Sequence, residues 1–156
     1  MKTSVFRRSL SASLLAVTVL TSAMPAHAAP PPPLDPCKVV TIEEVERIIG
    51  KLKSTPRIEK LGDTAQCIHE FANATSELDI WIGTADSLAP ARKRAKQPVA
   101  VNGIGDEAIM DRGRIDAGTV ELHVRKGTLV LLLMLSDTPG DEAKLKALAQ
   151  KAVGRL

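Results

Sequence analysis

Aromatic side chains are nearly missing from this 156-residue chain: it has no Tyr, two Phe and one Trp. Phe6 belongs to an N-terminal leader, which leaves Phe71 and Trp81 to the body of the protein. Base-stacking platforms for single-stranded nucleic acid need several exposed rings, and this chain cannot supply them. Its core has to be built from Leu, Ile, Val and Ala. Assembled catalytic motifs are missing as well: there is no Gly-x-Ser-x-Gly elbow, no His-Glu-x-x-His and no P-loop. Outside the leader the histidines are His69 and His123. Both fall on expected strands, where a His reads as a surface or core-edge residue rather than a base. No catalytic residue is therefore assigned, and the chain is not expected to be an enzyme.

Net charge disappears on inspection. Lys2, Arg7 and Arg8 form a basic start, Leu10 to Leu20 is a short apolar run, and Ala26-His27-Ala28 is a small-x-small cleavage site. This is the pattern of a bacterial signal peptide over 1–28. The apolar run is short for a membrane span and is followed by Pro25. Cleavage would remove three basic residues and no acid, so the 21 Lys+Arg of the chain fall level with its 18 Asp+Glu. A basic nucleic-acid or membrane surface gains no support from charge. The product, about 128 residues, is expected to be periplasmic or secreted, without a stable membrane anchor, and the size of one domain over 37–156.

Cysteine is limited to Cys37 and Cys67. An even count in an exported chain makes a single disulfide the default; the alternative, a metal pair, would need further ligands, and Cys67-x-His69 is a weak start. Such a disulfide would stabilise the fold by roughly 3–4 kcal/mol. Asp106, Glu107, Asp111 and Asp116 invite a calcium reading, but they lack the alternating order that ends in a bidentate Glu. Neither a metal nor a cofactor is expected.

What is there, in chain order, begins with a proline-rich leader over 29–36. Thr41 with Glu44 forms a capping box, Val40 and Val45 occupy the staple positions, Val45, Ile48, Ile49 and Leu52 make one apolar stripe, and Gly50 reads as a helix stop. Gln66 to Phe71 and Glu77 to Gly83 read as strands joined by a turn over Asn73-Ala74-Thr75-Ser76, which also fits a glycosylation sequon. Leu78, Ile80 and Ile82 face one way, Asp79 and Trp81 the other. Asp86 to Lys96 reads as a short helix carrying Arg92-Lys93-Arg94-Ala95-Lys96, either a solvated face or a contact for an acidic partner. Gly103-Ile104-Gly105-Asp106-Glu107-Ala108 formally matches a dinucleotide fingerprint, but no helix follows to receive a pyrophosphate. It reads as a tight turn into a strand.

Val120 to Leu135 is expected to be the organising hairpin. Val120, Leu122 and Val124 point inward, Glu121, His123 and Arg125 outward, and Lys126-Gly127 forms the turn. The second arm, Leu129 to Leu135, is apolar on both faces and predicts a central strand covered on each side. Thr138 to Glu142 opens a last helix with the stripe Leu145, Leu148, Ala149, Ala152, Val153 and Leu156. The expected class is α+β, an antiparallel sheet covered by N-terminal and C-terminal helices. Leu61 to Ala65 echoes Ile104 to Ala108, and Glu77 to Ile80 echoes Glu121 to Val124, at nearly one offset, which suggests an internal turn–strand–strand duplication.

Asp35-Pro36-Cys37, Thr41-x-x-Glu44-Val45, Cys67, the Gly103 to Ala108 turn and Val124-Arg125-Lys126-Gly127 together resemble small secreted bacterial domains of unknown function. Many of their relatives are actinobacterial lipoproteins that open on Asp-Pro-Cys. The resemblance implies an α+β fold and the Cys37–Cys67 disulfide, and it brings no established activity. This chain lacks a lipid-attachment cysteine, so anchoring is not carried over. The function expected is a non-catalytic binding or envelope-accessory domain for a protein, peptide or small apolar ligand. Gly103, Gly105, Asp106, Glu107, Asp111 and Arg112 are its candidate binding turns. A secreted inhibitor using the loop from Asp111 to Gly118, or a hydrolase without a recognisable motif, is the alternative.

Overall fold

A strand that is apolar on both faces belongs in the middle of a sheet, and Leu129–Ser136 (β7) lies there. The computed structural model describes residues 34–61, 64–72, 76–112, 118–137 and 141–156. The expected signal peptide and the start of the proline-rich stretch lie outside the described residues, as do 73–75 with the sequon, 113–117 of the 111–118 loop, and 138–140 before the last helix. The other strands are Arg57–Leu61 (β1), Thr64–Glu70 (β2), Glu77–Thr84 (β3), Val99–Val101 (β4), Glu107–Arg112 (β5) and Thr119–Lys126 (β6). They form one antiparallel sheet in the order β1-β2-β3-β7-β6-β5-β4. With helices Ile42–Ile48 (α1), Leu88–Arg94 (α2) and Asp141–Val153 (α3), the class is α+β.

Two antiparallel meanders meet at the centre, where β3 pairs with β7 rather than with its chain neighbour β4. The register aligns Ile80 with Leu133 and Leu133 with Leu122, so apolar side chains of three strands share one face. Val45 of α1, Leu145, Leu148, Ala149 and Ala152 of α3, and Leu78, Ile80, Leu122, Val124, Leu131 and Leu135 of the sheet belong to one buried cluster. Helix α3 packs on β6 and β7, and α1 packs on α3.

The start of α1 is set locally and then reused. Thr41 Oγ1 accepts from the Glu44 N–H at 3.2 Å, and Glu44 Oε2 accepts from the Thr41 N–H at 3.0 Å. Both Glu44 oxygens also accept from the Arg155 guanidinium at 2.8 Å, and Arg155 donates to the Val39 carbonyl. The Arg155 bonds, with the Thr41 N–H, hold the Glu44 carboxyl down at about 2. One carboxylate thus caps the first helix and ties it to the end of the last.

Cys37 lies in a 3-10 turn over Pro36–Lys38 and is bonded to Cys67 on β2, with the Cα atoms 5.1 Å apart. The hairpin turn differs from expectation by one residue. Lys126 pairs with Leu129, so the loop is Gly127-Thr128, and Gly127 takes the positive φ of 58°. Two strands, β1 and β4, had no counterpart in the reading of the sequence; both are edges, one rich in charge and one only three residues long.

Candidate functional site

The first face of the sheet is occupied by the apolar cluster, so attention turns to the second. Alternation places Gln66 and Ile68 of β2, Asp79 and Trp81 of β3, Leu132 and Met134 of β7, Glu121 and His123 of β6, and Ile109 and Asp111 of β5 there. The register runs them in two rows: Ile68, Asp79, Met134, Glu121, Asp111, and beside it Gln66, Trp81, Leu132, His123, Ile109. Glu121 and His123 were expected to face outward into solvent. They do sit opposite Leu122 and Val124, yet Glu121 is 1% exposed and the His123 side chain 12%. Alternation assigns a face; it does not say whether water reaches that face.

At the β5 end this face is filled by the protein itself. Leu88 of α2 packs with Ile109 and Val130, and Arg92 of α2 pairs with Glu107, which Arg125 Nε approaches at 3.5 Å from the neighbouring strand. A pocket of about 190 Å³ between α2 and the sheet is lined by Ala85, Leu88, Ala89, Arg92, Glu107 and Arg125. Its one carboxylate, Glu107, is shared by the two guanidiniums, and Asp106 lies 3.5 Å from Arg125 outside the pocket. Asp111 is 3% exposed and accepts from the backbone N–H groups of Lys96 and Gln97, at 2.7 Å for the shorter bond. It therefore pins the α2–β4 connection. Arg112, one residue on and facing the opposite way, bonds Asp141 at 3.1 Å and Glu142 at 2.9 Å at the start of α3.

The turn at Gly103 to Ala108 is interlocked with the β6–β7 hairpin. Gly105, at φ 63°, lies with its Cα against the Arg125 carbonyl, and the Asp106 N–H donates to that oxygen at 2.8 Å. The Asp106 carboxylate accepts from the Gly127 N–H at 2.7 Å, which is the largest cause of its lowered pKa. Gly103 is exposed beside it. Of the six candidate binding-turn residues, Asp106, Glu107, Asp111 and Arg112 thus engage other parts of the chain, and Gly105 is the point of closest backbone approach.

The β2–β3 end of the second face is different. Gln66 Oε1, Asp79 Oδ1 and the Trp81 indole N–H are buried there without a hydrogen-bond partner. Gln66 and Trp81 are cross-strand partners, and Asp79 stands two residues from Trp81 on the same side. Asp79 is 6% exposed. Burial raises its carboxyl to about 6, the nearby Glu77 charge adds to the shift, and Arg57 on β1 opposes it. Unpartnered buried polar atoms are rare because each costs about 1–3 kcal/mol. Three together on one patch mark the candidate site. None of the three was singled out as a site residue in the sequence.

A testable consequence concerns acidity. Because the folded pKa of Asp79 lies above its unfolded value of 3.8, folding takes up a proton between the two. Its contribution is fully present below about 3.8 and is lost as pH rises through about 6. Buried His69, whose pKa is lowered by desolvation, changes stability in the opposite sense below its ordinary 6.5. The Asp79 part is isolated by comparison with Asp79→Asn. Urea unfolding from pH 4 to 7.5 should show the native protein losing about 1–3 kcal/mol relative to the variant. Parallel stability curves would show that Asp79 ionises freely.

Beyond Met134 and Leu132, His123 Nε2 lies 3.1 Å from Glu121 Oε2. An imidazole oriented by a carboxylate is half of a nucleophilic triad. Among the described residues both cysteines are in the disulfide, and the Thr119 hydroxyl lies four residues along the same strand, about 13 Å away. His69, the other expected strand histidine, is on the first face, 1% exposed, with Nε2 4.0 Å from Cys67 Sγ. Among the described residues no group of three or more His, Cys, Asp or Glu could hold a metal ion, and no helix is long and apolar enough to cross a membrane. No protein-family model, curated protein or solved structure matches the chain.

Proposed function

We propose that this is an exported, non-catalytic binding domain that takes a small ligand on the second face of its sheet, over β2 and β3. The observation that carries this reading is the patch of Gln66 Oε1, Asp79 Oδ1 and Trp81 Nε1, buried and unpartnered on adjacent strands. A fold gains nothing from such atoms, and a ligand that completes their hydrogen bonds offsets their cost. Export, to the periplasm or beyond, is supported by the leader's pattern and by the disulfide, a bond suited to an oxidising compartment.

The same reading keeps the kinship with the Asp-Pro-Cys domains as a proposal carried by the shared sequence motifs. Residues 104–108 and 124–127, which carry much of that resemblance, make one interlocked unit. Helices α1 and α3 form the roof over the first face. The chain also reads as an old duplication: β2 and β3 correspond to β5 and β6, in the same order and at offsets of 43 and 42 residues.

Native mass spectrometry of the exported protein from its own host tests the binding reading. Wild type should retain a small molecule that the Gln66→Leu/Asp79→Leu double variant does not. Equal retention by both proteins, or none by either, would overturn it.

A further inference from the structure

We infer that the ligand of this face is a small primary ammonium compound with a neighbouring neutral hydrogen-bond acceptor: the ammonium on Asp79 and Gln66, the acceptor on the Trp81 indole N–H. The inference rests on the reading of this face as the binding site and adds the chemical class to it.

The argument is one of complementarity. A carboxylate oxygen and an amide oxygen only accept, and an indole N–H only donates. Gln66 Oε1, Asp79 Oδ1 and Trp81 Nε1, on neighbouring positions of one face, therefore ask for a ligand that presents at least two donors and one acceptor. A primary ammonium has three N–H donors on one atom, enough for both oxygens. Its positive charge forms a charge-assisted bond to Asp79, the strong class of hydrogen bond. A half-buried indole next to it adds attraction between the cation and the ring.

Charge on the face agrees. The groups around Asp79 are Glu77 on its own strand, Glu70 on β2 with Lys53 ion-paired to it, Arg57 and Glu59 on β1, and Glu121 with His123 on β6. Four carboxylates besides Asp79 stand against one guanidinium and one ammonium, so an anionic ligand would meet repulsion. A bare metal ion is a poor fit because one of the three unsatisfied groups is a donor that cannot coordinate it. A ligand with a permanent charge and no N–H, such as a quaternary ammonium, would leave both oxygens unsatisfied. What remains is an amine beside a hydroxyl, ether or amide carbonyl.

Protonation follows from the same contacts. An ammonium needs the ionised carboxylate, and burial keeps the Asp79 carboxyl protonated up to about pH 6. At pH 5 roughly a tenth of the protein would be in the binding-competent form, and at pH 7 most of it. Affinity should rise about tenfold across that range.

The chain has one Trp and no Tyr, so its ultraviolet fluorescence is a direct report from Trp81. The test titrates the mature protein with three probes: glycinamide, which has the ammonium and an amide carbonyl; N-acetylglycinamide, which has no charge; and tetramethylammonium, which has charge without donors. Glycinamide should shift Trp81 emission saturably, about tenfold more tightly at pH 7 than at pH 5. The other two should give no saturable change. Asp79→Asn should weaken glycinamide at least tenfold at pH 7 while unfolding at higher urea than wild type, which separates loss of the site from loss of the fold. A saturable response to either control probe, or none to glycinamide, would overturn the ammonium assignment. If the retained mass is still lost in the double variant, that failure leaves the binding face standing; if it is not, both readings fall together.

Discussion

Loss of the Cys37–Cys67 bond is expected to destabilise the domain by about 3–4 kcal/mol, the chain-entropy value for a bridge closing a loop of this length. The bond joins the 3-10 turn before α1 to β2, where Cys67 pairs directly with Ile58 of the edge strand β1. Cys67 is completely buried, and the turn carrying Cys37 packs against β1, β2 and β3. Once the bond is cut, the N-terminal segment is held by burial of Val39, Val40 and Val45 and by Glu44 on Arg155. Those contacts keep the native arrangement, so the effect should appear in the urea midpoint and melting temperature rather than in the far-ultraviolet circular dichroism. Cys67→Ser should cost more than Cys37→Ser, because the new hydroxyl at position 67 is buried in an apolar cluster. An unchanged midpoint in the presence of a dithiol would show that the bridge contributes nothing to the fold.

The elements legible in the sequence are those whose causes are local. The capping box of Thr41 and Glu44, the alternation of Leu78, Ile80 and Ile82, the apolar arm from Leu129 to Leu135 and the stripe from Leu145 to Leu156 each declare themselves within a dozen residues. Pairing of β3 with β7 does not, because nothing in Glu77–Thr84 names a partner some fifty residues away. Edge strands β1 and β4 escaped because Arg57, Glu59 and Lys60 break the apolar pattern in one and the other is too short to show a period.

The candidate site was hidden for a related reason. Asp79, Trp81, Glu121 and His123 alternate with core residues, which ordinarily means solvent. A signal was nevertheless present in β7: a strand that is apolar on both faces needs cover on both faces, so the outward residues of β3 and β6 beside it had to be partly buried too. A buried Asp beside the lone Trp then asks for a partner. The Gly103 to Ala108 turn misled in the opposite direction, since glycines and acids in a loop suggest a ligand, whereas here they receive another turn of the same chain.

That interlock makes Gly105→Ala the other large effect, a loss of about 3 kcal/mol or more. An L residue held at φ 63° costs about 1–2 kcal/mol in backbone strain alone. A Cβ there would also stand 2.5 Å from the Arg125 carbonyl oxygen and 2.6 Å from Val124 Cγ1. The first of these is backbone in the middle of the sheet and cannot swing aside. Relief requires moving the turn off the hairpin, which breaks the Asp106 N–H bond to Arg125 and withdraws the Asp106 carboxylate from the Gly127 N–H. Gly103→Ala is the control that separates strain from contact. Gly103 also has positive φ, 79°, but a Cβ there meets nothing within 4 Å, so it should cost only about 1 kcal/mol. Urea unfolding of the two variants at one pH reads the difference directly. Equal losses would mean that the close approach to Arg125 is not what requires glycine at 105. A gap of about 2 kcal/mol would assign this turn to the architecture of the domain and leave the Gln66–Asp79–Trp81 patch as the place where a ligand is to be sought.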